Sequence, residues 1–416
     1  MSGAQEEIGV VGGGIVGLSI ALKLALEGRR VTLFEADPDG APASDGNAGH
    51  IGTASLVPWA NPGNRRSALR FLRDRAHPLR FRVADMLRHP RWIARFLAAS
   101  TALRAAAGAD RLKPLLDRAL PAAAPLLKAA GAEDLLRRDG MLHVFESRAA
   151  YTAAVPGYEM RAARGIALRH LSTEEIGALE PALRPAAART LVAGVLLEDV
   201  GQIASPRRLR LAYRRAFESL GGRSVTARVT GVSGGIRLET GERRAFGRVI
   251  LAAGAASPAL ARGLGVRVPV IAERGYHLQF ETQGDLLRRS VLNVDRRVVF
   301  SPHEAGLRLT TGAEFTARGR RPDPDWMQPL FEAARALSPE IPPLDKAARW
   351  SGDRPSTPDS LPILGPAPGN PSVLLAYGHG HIGLTLAATT ATLVADLVAG
   401  RRSDIDLAPY APDRRI

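Results

Sequence analysis

"IGVVGGGIVGLSIALKLALEGRRVTLFEAD", residues 8–37, reads as strand, tight turn, helix and second strand. Ile8, Val10 and Val11 make a short apolar strand. Gly12, Gly14 and Gly17 then supply a G-x-G-x-x-G pattern. Leu18, Leu22 and Leu26, with Ala21 and Ala25, recur at helical spacing, Gly28 ends that helix, and "RRVTLFE" is the next strand. The three glycines serve different ends. Gly12 permits the turn, Gly14 admits a pyrophosphate to the backbone, and Gly17 lets helix and strand pack closely. The helix N-terminus offers free N–H groups and a positive dipole end to phosphate. Glu35, eighteen residues after Gly17, ends the second strand where a carboxylate can accept both hydroxyls of an adenosine ribose. Glycine-rich turns are common. Strand, helix, second strand and terminal acid in one order are specific to a dinucleotide cradle.

The rest of the chain bounds what surrounds this cradle. At 416 residues it can bury a large core, as two domains or one with a large insertion. It contains no cysteine, which excludes disulfides, iron–sulfur clusters, thiolate zinc sites and a cysteinyl cofactor link. The formal charge of +15 invites a nucleic-acid reading. However, lysine occurs only at 23, 113, 128 and 346, and the arginines are spread through an alanine-rich chain rather than gathered in one tail. A basic soluble enzyme fits better, with a modest pull toward anionic substrates or an anionic membrane surface. No run of 18 or more apolar residues predicts a transmembrane helix. Glu6 and Glu7 stand where a signal peptide would carry basic residues. A cytoplasmic protein is expected.

The cradle alone serves NAD and FAD equally. Enzymes that bind both usually carry a second glycine fingerprint, and "GVSGGI" (231–236) instead runs into "RLETGERR", a hairpin pattern. "GRVILAAGAASPALARGLG" (247–265) reads as a buried strand that ends at Ala253-Gly254 before a helical run. It is similar to the strand-turn that flavoproteins of the glutathione-reductase type place under FAD. The small residues of "SDGNAGHIG" (44–52) would let backbone N–H groups reach the flavin's phosphate and ribityl side.

"AYGHGHIGLTLAATTATLVADLV" (376–398) places two histidines in a glycine turn before a long apolar helix. Zinc would need further ligands, and no Asp, Glu or Cys flanks the pair, so no metal is expected. Together with "PWANPG" (58–63), "EDVGQIASP" (198–206), "ERGYHLQF" (273–280), "TGAEF" (311–315) and "RWSGDRPSTPDSLPILG" (349–365), taken in this order, the chain resembles the D-amino-acid dehydrogenase branch of the FAD-dependent amine oxidoreductases. Glycine, sarcosine and D-amino-acid oxidases belong to the same superfamily.

The resemblance implies an α/β fold: a Rossmann-type FAD-binding domain with an inserted mixed-sheet, α+β substrate domain. The FAD domain would take 1–62, 198–267 and 349–416, and the substrate domain 63–197 and 268–348. FAD contacts are then expected from Gly12, Gly14, Ile15, Val16, Gly17, Glu35 and Ala36. A second set is Ser44, Asn47, Ala48, Gly49, His50, Ile51, Val229, Ala253 and Gly254. The last turn would add Gly378, Gly380, His381, Ile382, Gly383, Leu384 and Thr385, with Thr385 capping the helix, whose N-terminus would favour negative charge at the flavin pyrimidine.

The implied reaction passes hydride from Cα of a D-amino acid to flavin N5, and the imino acid hydrolyses to the keto acid. Forms such as "GDRPSTPDSLPILG" look closest to members that oxidise D-hydroxyproline and other secondary-amine acids. A carboxylate anchor is needed, and the two-pronged guanidinium suits it. Arg354 is the leading candidate and Arg308 the second. In "ERGYHLQF" alternation puts Tyr276 and His277 on opposite faces, with Tyr276 favoured toward substrate. His50 either points over the flavin or sits at the loop surface.

The electron acceptor is quinone or O2. The Arg-studded stretch 65–100, with Phe71, Leu72, Trp92, Ile93, Phe96 and Leu97, predicts amphipathic helices, either a solvated basic face or a peripheral membrane contact. A glycine/sarcosine-type oxidase, an FAD protein acting on RNA and a non-catalytic flavoprotein subunit are the alternative functions, and an oligomer is compatible with all of them. The tail "APYAPDRRI" is expected to be loosely ordered.

Overall fold

The computed structural model describes residues 6–65, 79–282, 286–323, 325, 328–335, 338 and 340–416. Phe71 and Leu72 lie outside the described residues.

The opening motif folds as its pattern dictates. The strand Ile8–Val11 enters the turn, the helix Ile15–Leu26 follows, and the strand Val31–Glu35 returns beside the first in parallel register, Ile8 opposite Val31 and Val11 opposite Phe34. These two strands sit within a six-stranded sheet. Its order is Arg223–Thr226, Val31–Glu35, Ile8–Val11, Arg248–Leu251, Asn370–Tyr377 and Ile363–Ala367. The first five run parallel and Ile363–Ala367 is an antiparallel edge. Strands from the first, middle and last parts of the chain are thus neighbours, so the two glycine turns open at the same end of one sheet. The helix Ile15–Leu26 is apolar almost all round because it is covered by the sheet and by the terminal helix Gly383–Ala399.

That terminal helix qualifies the membrane expectation. With its lead-in, Gly380–Ala399 is long and apolar enough to cross a membrane by length and composition. In the fold 67% of that apolar window is buried, packed on the helices Ile15–Leu26 and Ala119–Ala129. Its apolarity is that of a core helix.

The second large sheet is mixed, with nine strands among the described residues. Along its main path the order is Ala348–Ser356, Ile271–Phe280, Gly306–Thr316, Val298–His303, Ser290–Asn293, Met141–Phe145, Ala193–Leu197 and Leu168–Leu171, and Leu79–Phe81 pairs with Gly306–Thr316 off that path. The boundary expected at 349 falls inside this sheet, because Ala348–Ser356 pairs with Ile271–Phe280, Glu273 lying opposite Arg354. Its apolar face, including Phe280, Phe300, Leu307 and Leu309, packs on short helices as a core of its own. A small third sheet has the order His50–Gly52, Val200–Ile203 and Leu136–Arg137. "GVSGGIRLETGERR" forms antiparallel strands, as its hairpin pattern indicates.

The C-terminal tail departs from expectation: Tyr410 is buried and donates to the Arg111 carbonyl, and Arg414 grips both Asp359 oxygens at 2.8 and 3.0 Å. A bidentate arginine–carboxylate pair and one aromatic anchor are enough to dock a tail that composition alone marks as loose.

Candidate active site

A cavity of about 610 Å³ runs from the N-terminal glycine turn to the last one. At one end the strand Ile8–Val11 stops and Gly12 takes a φ of +112°, where a side chain would strike the Ala252 carbonyl. At Gly17 a side chain would strike the Gly12 carbonyl, which fixes how closely helix and strand approach. Glu35 accepts from the Gly13 N–H and, at 3.3 Å, from that of Asp37. Ser44 accepts the Ile15 N–H at 2.9 Å. These contacts hold the turn open toward a cavity lined by Gly12, Gly14, Ile15, Val16, Glu35, Ala36, Val229, Ala253 and Gly254.

The loop 44–50 forms the next wall and contributes Ser44, Asn47, Ala48 and His50 to the lining. Distant side chains fasten it. Arg210, on the helix Pro206–Ser219, makes a buried bidentate pair with Asp45 at 2.7 and 2.9 Å. Arg308 donates to the carbonyls of Asp45 and Asn47 at 3.0 and 2.6 Å. Gln202 Nε2 donates to the Ala48 carbonyl at 2.9 Å. His277 Nδ1 lies 3.2 Å from the Gly46 carbonyl while its ring stacks on Trp350, centroids 4.9 Å apart.

At the far end the amino end of the terminal helix meets the cavity through Gly380, His381, Gly383, Leu384 and Thr385. Thr385 does not cap that helix: Ile382 holds the cap position, and the Thr385 hydroxyl donates 2.9 Å to the His50 carbonyl, tying helix to loop. Val299, Thr310 and Arg354 complete this end.

Five expected cofactor residues lie behind the wall rather than on it. Gly17 is in the helix, Ile51 and Ile382 are core side chains, Gly49 closes against Gln202 and Ile203, and Gly378 packs on Thr357. Tyr276 is corrected. Its hydroxyl donates to Glu314 at 2.5 Å within a buried cluster that includes Arg82 and Arg274, on the face turned from the cavity. The alternation holds, but the face that looks toward the cofactor loop carries His277. A bulge between Arg274 and Tyr276 interrupts the register with Gly306–Thr316. Arg308 is corrected too: it does not line the cavity, and its Nε and Nη1 donate to Gln279 and to the loop carbonyls, which makes it a clamp rather than a carboxylate anchor. Residues 42, 43, 227, 299 and 310 also line the cavity and carry no motif that would mark them.

The site is electrostatically quiet on its histidine side. Burial lowers His50 and His379 to about 4, and lowers His381 in the same direction. Burial, with Arg308 nearby, lowers His277 to about 3, and burial, with Arg161 nearby, does the same to His143. His379 Nε2 lies 3.0 Å from the Thr390 hydroxyl, a structural contact. Among the described residues no group of three or more His, Cys, Asp or Glu could hold a metal ion.

These shifts set a pH dependence. In the unfolded chain His50, His143, His277 and His379 take up a proton near pH 6.5, and in the folded chain not until about pH 4 or below. Stability is therefore full above pH 6.5 and is lost as pH falls from there toward 4, by at most about 1.4 kcal/mol per pH unit per histidine. Urea unfolding should show a clearly lower midpoint at pH 5 than at pH 7. Equal midpoints would contradict the neutral, buried assignment.

The cavity fits FAD. It is long, is lined by the first glycine turn and Glu35 at one end, and has a helix amino end at the other. The buried Nε2 of His50 and Oγ1 of Thr310 on its wall have no protein partner.

Comparison with known proteins gives the same answer. A family model described as "FAD dependent oxidoreductase" (DAO) matches residues 7–397. The chain is 32% identical over 423 residues to a D-amino-acid oxidase of Bradyrhizobium diazoefficiens, covering 98% of this chain and 99% of that one. It is 30% identical to a D-amino acid dehydrogenase of Paramagnetospirillum magneticum, covering 97% and 98%. Among solved structures, glycine oxidase from Geobacillus kaustophilus superposes with a TM-score of 0.74 at 26% identity, covering 99% of this chain and 100% of that one. The chain therefore belongs to the DAO family of FAD-dependent oxidoreductases, and it is an enzyme built around that cofactor.

Proposed function

We propose that the chain oxidises the Cα–N bond of a D-amino acid to the imino acid, which water then converts to the 2-keto acid, with ammonia leaving when the substrate is a primary amine. The observation that carries this reading is Arg354, a guanidinium on the wall of the FAD cavity at the end where the terminal helix begins. The full-length relatives named for D-amino acids support the choice of substrate class.

Bound FAD supplies a two-electron acceptor for the hydride. The protein's part is placement. Arg354 holds the α-carboxylate through two parallel N–H donors, which fixes where Cα lies. His50 and His381, kept neutral by burial, add no positive charge of their own that would repel the substrate ammonium. The amino end of the helix Gly383–Ala399 favours negative charge in the cavity. Secondary-amine acids such as D-hydroxyproline are the preferred substrates on the form of "GDRPSTPDSLPILG".

Turnover assays with an artificial acceptor test the reading, using D- and L-amino acids, glycine, sarcosine and D-hydroxyproline and measuring keto acid or imine release. D-enantiomers should turn over and their L-forms should not. Turnover of L-forms alone would overturn the stereochemistry, and glycine or sarcosine alone would favour the glycine-oxidase alternative suggested by the fold match.

For the acceptor, a quinone at a membrane surface is the favoured reading. Leu87 and Leu103 are 74% and 82% exposed, and exposed Leu97 lies between them. Exposed Arg88, Arg91 and Arg104 accompany them, and no acidic residue occurs from 86 to 109. Apolar side chains among arginines suit an anionic bilayer. Sedimentation with anionic but not neutral vesicles is the expected result, and no binding to either would leave O2 as the favoured acceptor.

A further inference from the structure

Glu273 is the cross-strand neighbour of Arg354, placed opposite it in the pairing of Ile271–Phe280 with Ala348–Ser356. Its Oε1 accepts from Arg354 Nη1 at 3.0 Å and its Oε2 accepts from the Ser356 hydroxyl at 2.8 Å. The carboxylate is buried and absent from the cavity wall, while the Arg354 side chain is 20% exposed and lines it. Three further features brace the pair. Gly275 leaves the room that the guanidinium fills, since a side chain there would overlap Arg354 Nη2. The Ser356 carbonyl accepts from Trp92 Nε1 at 3.0 Å, and Ser356 bridges to His379 in the last glycine turn. Arg354 is thus held by a carboxylate that is itself fixed to the segment bearing the helix amino end.

We infer that Glu273 is a positioning residue that holds the Arg354 guanidinium in its substrate-binding orientation before substrate arrives. This rests on the proposed role of Arg354 as the carboxylate anchor. An arginine side chain has several rotatable bonds, and ordering it at the moment of binding weakens affinity; an anchor already ordered by a neighbour avoids that loss. One Nη1 donor goes to Glu273, which leaves Nη2 and the rest of the planar fork for the substrate carboxylate. Glu273 acts on affinity through Arg354 and touches no reacting atom, so its removal should appear in KM and leave kcat nearly unchanged.

The test compares Glu273→Ala and Glu273→Gln holoenzymes, with acetate as a bare carboxylate probe read by perturbation of the flavin spectrum. In Glu273→Ala, KM for the amino acid and Kd for acetate should each rise about tenfold, with kcat within about threefold and flavin content unchanged. Glu273→Gln keeps an oxygen that accepts from Arg354, with its amide N–H donating to the Ser356 hydroxyl in the reverse sense, and should restore both constants to within about threefold of wild type. An unchanged or lower KM in Glu273→Ala would overturn the inference, because Glu273 would then be idle or a competitor for Arg354. Loss of flavin or an equal fall in kcat would assign it a merely structural role and overturn it as well. If the alanine chain does not fold, Ser356→Ala, which frees one carboxylate oxygen, must raise KM and acetate Kd together, and no rise would overturn the inference. Arg354→Lys measured alongside separates the two ideas. If that variant binds acetate normally the anchor itself is misassigned, whereas a defect there with none in Glu273→Ala sinks the positioning role alone.

Discussion

Replacing Arg354 with methionine should lower kcat/KM for the amino-acid substrate by roughly 30- to 4,000-fold, while the purified protein keeps its FAD. The range follows from removing one partner of a desolvated, hydrogen-bonded charge pair, which costs about 2–5 kcal/mol. Arg354 sits on the wall of the cavity, on a strand of the substrate sheet, and none of the hydrogen bonds that secure the cofactor loop passes through it. Arg354→Lys is the control for charge. It keeps a cation beside Glu273 but loses the two-pronged geometry, and should fall between wild type and methionine. Steady-state kinetics with a flavin absorbance spectrum on the same sample checks both halves. Unchanged kcat/KM would clear Arg354 of the role, and colourless protein would mean the substitution had damaged the cofactor site instead.

The second large effect is expected at Arg210, remote from any reacting atom. Its pair with Asp45 is bidentate, at 2.7 and 2.9 Å, and both residues are buried. Arg210→Ala leaves the Asp45 carboxylate buried without its counter-ion, which costs about 3–5 kcal/mol. Asp45 lies beside Ser44 and Asn47 in the loop that walls the cavity, so the loss should be read twice, as a lower unfolding midpoint and as FAD released during gel filtration. Adding FAD in excess should recover part of the midpoint, since a ligand that binds only the folded state stabilises it by mass action. Wild-type stability together with full FAD retention would show that Arg308 and Gln202 hold the loop without Arg210.

The dinucleotide cradle is legible in the sequence because its determinants are local. Gly12 needs a backbone conformation that disfavours side chains, Gly17 needs a close approach, and Glu35 follows from strand length. The terminal glycine turn can be assigned to the same cavity because the family resemblance supplies the long-range pairing that 376–398 alone lacks. Arg354 is reachable through its motif. Tyr276 is not, because alternation along Ile271–Phe280 gives two faces without saying which one meets the cofactor loop, and the Glu314 that claims Tyr276 lies 38 residues away. Arg308 and Arg210 are illegible for a related reason. In a chain with 56 basic residues against 41 acidic ones, only the fold reveals which guanidinium is buried on which acceptor. The docked tail likewise depends on long-range contacts, the pairing of Arg414 with Asp359 and the burial of Tyr410.

If both ends of the chain hold one FAD and Arg354 delivers a D-amino acid to it, a D-amino acid alone must reduce the bound flavin. Anaerobic titration of the holoenzyme reads this without any acceptor. The visible absorbance of the flavin should bleach in a single phase, with one imino or keto acid formed per flavin and no bleaching by the L-enantiomer. A flavin that stays oxidised with every D-amino acid offered, yet is readily reduced by dithionite, would contradict the proposal.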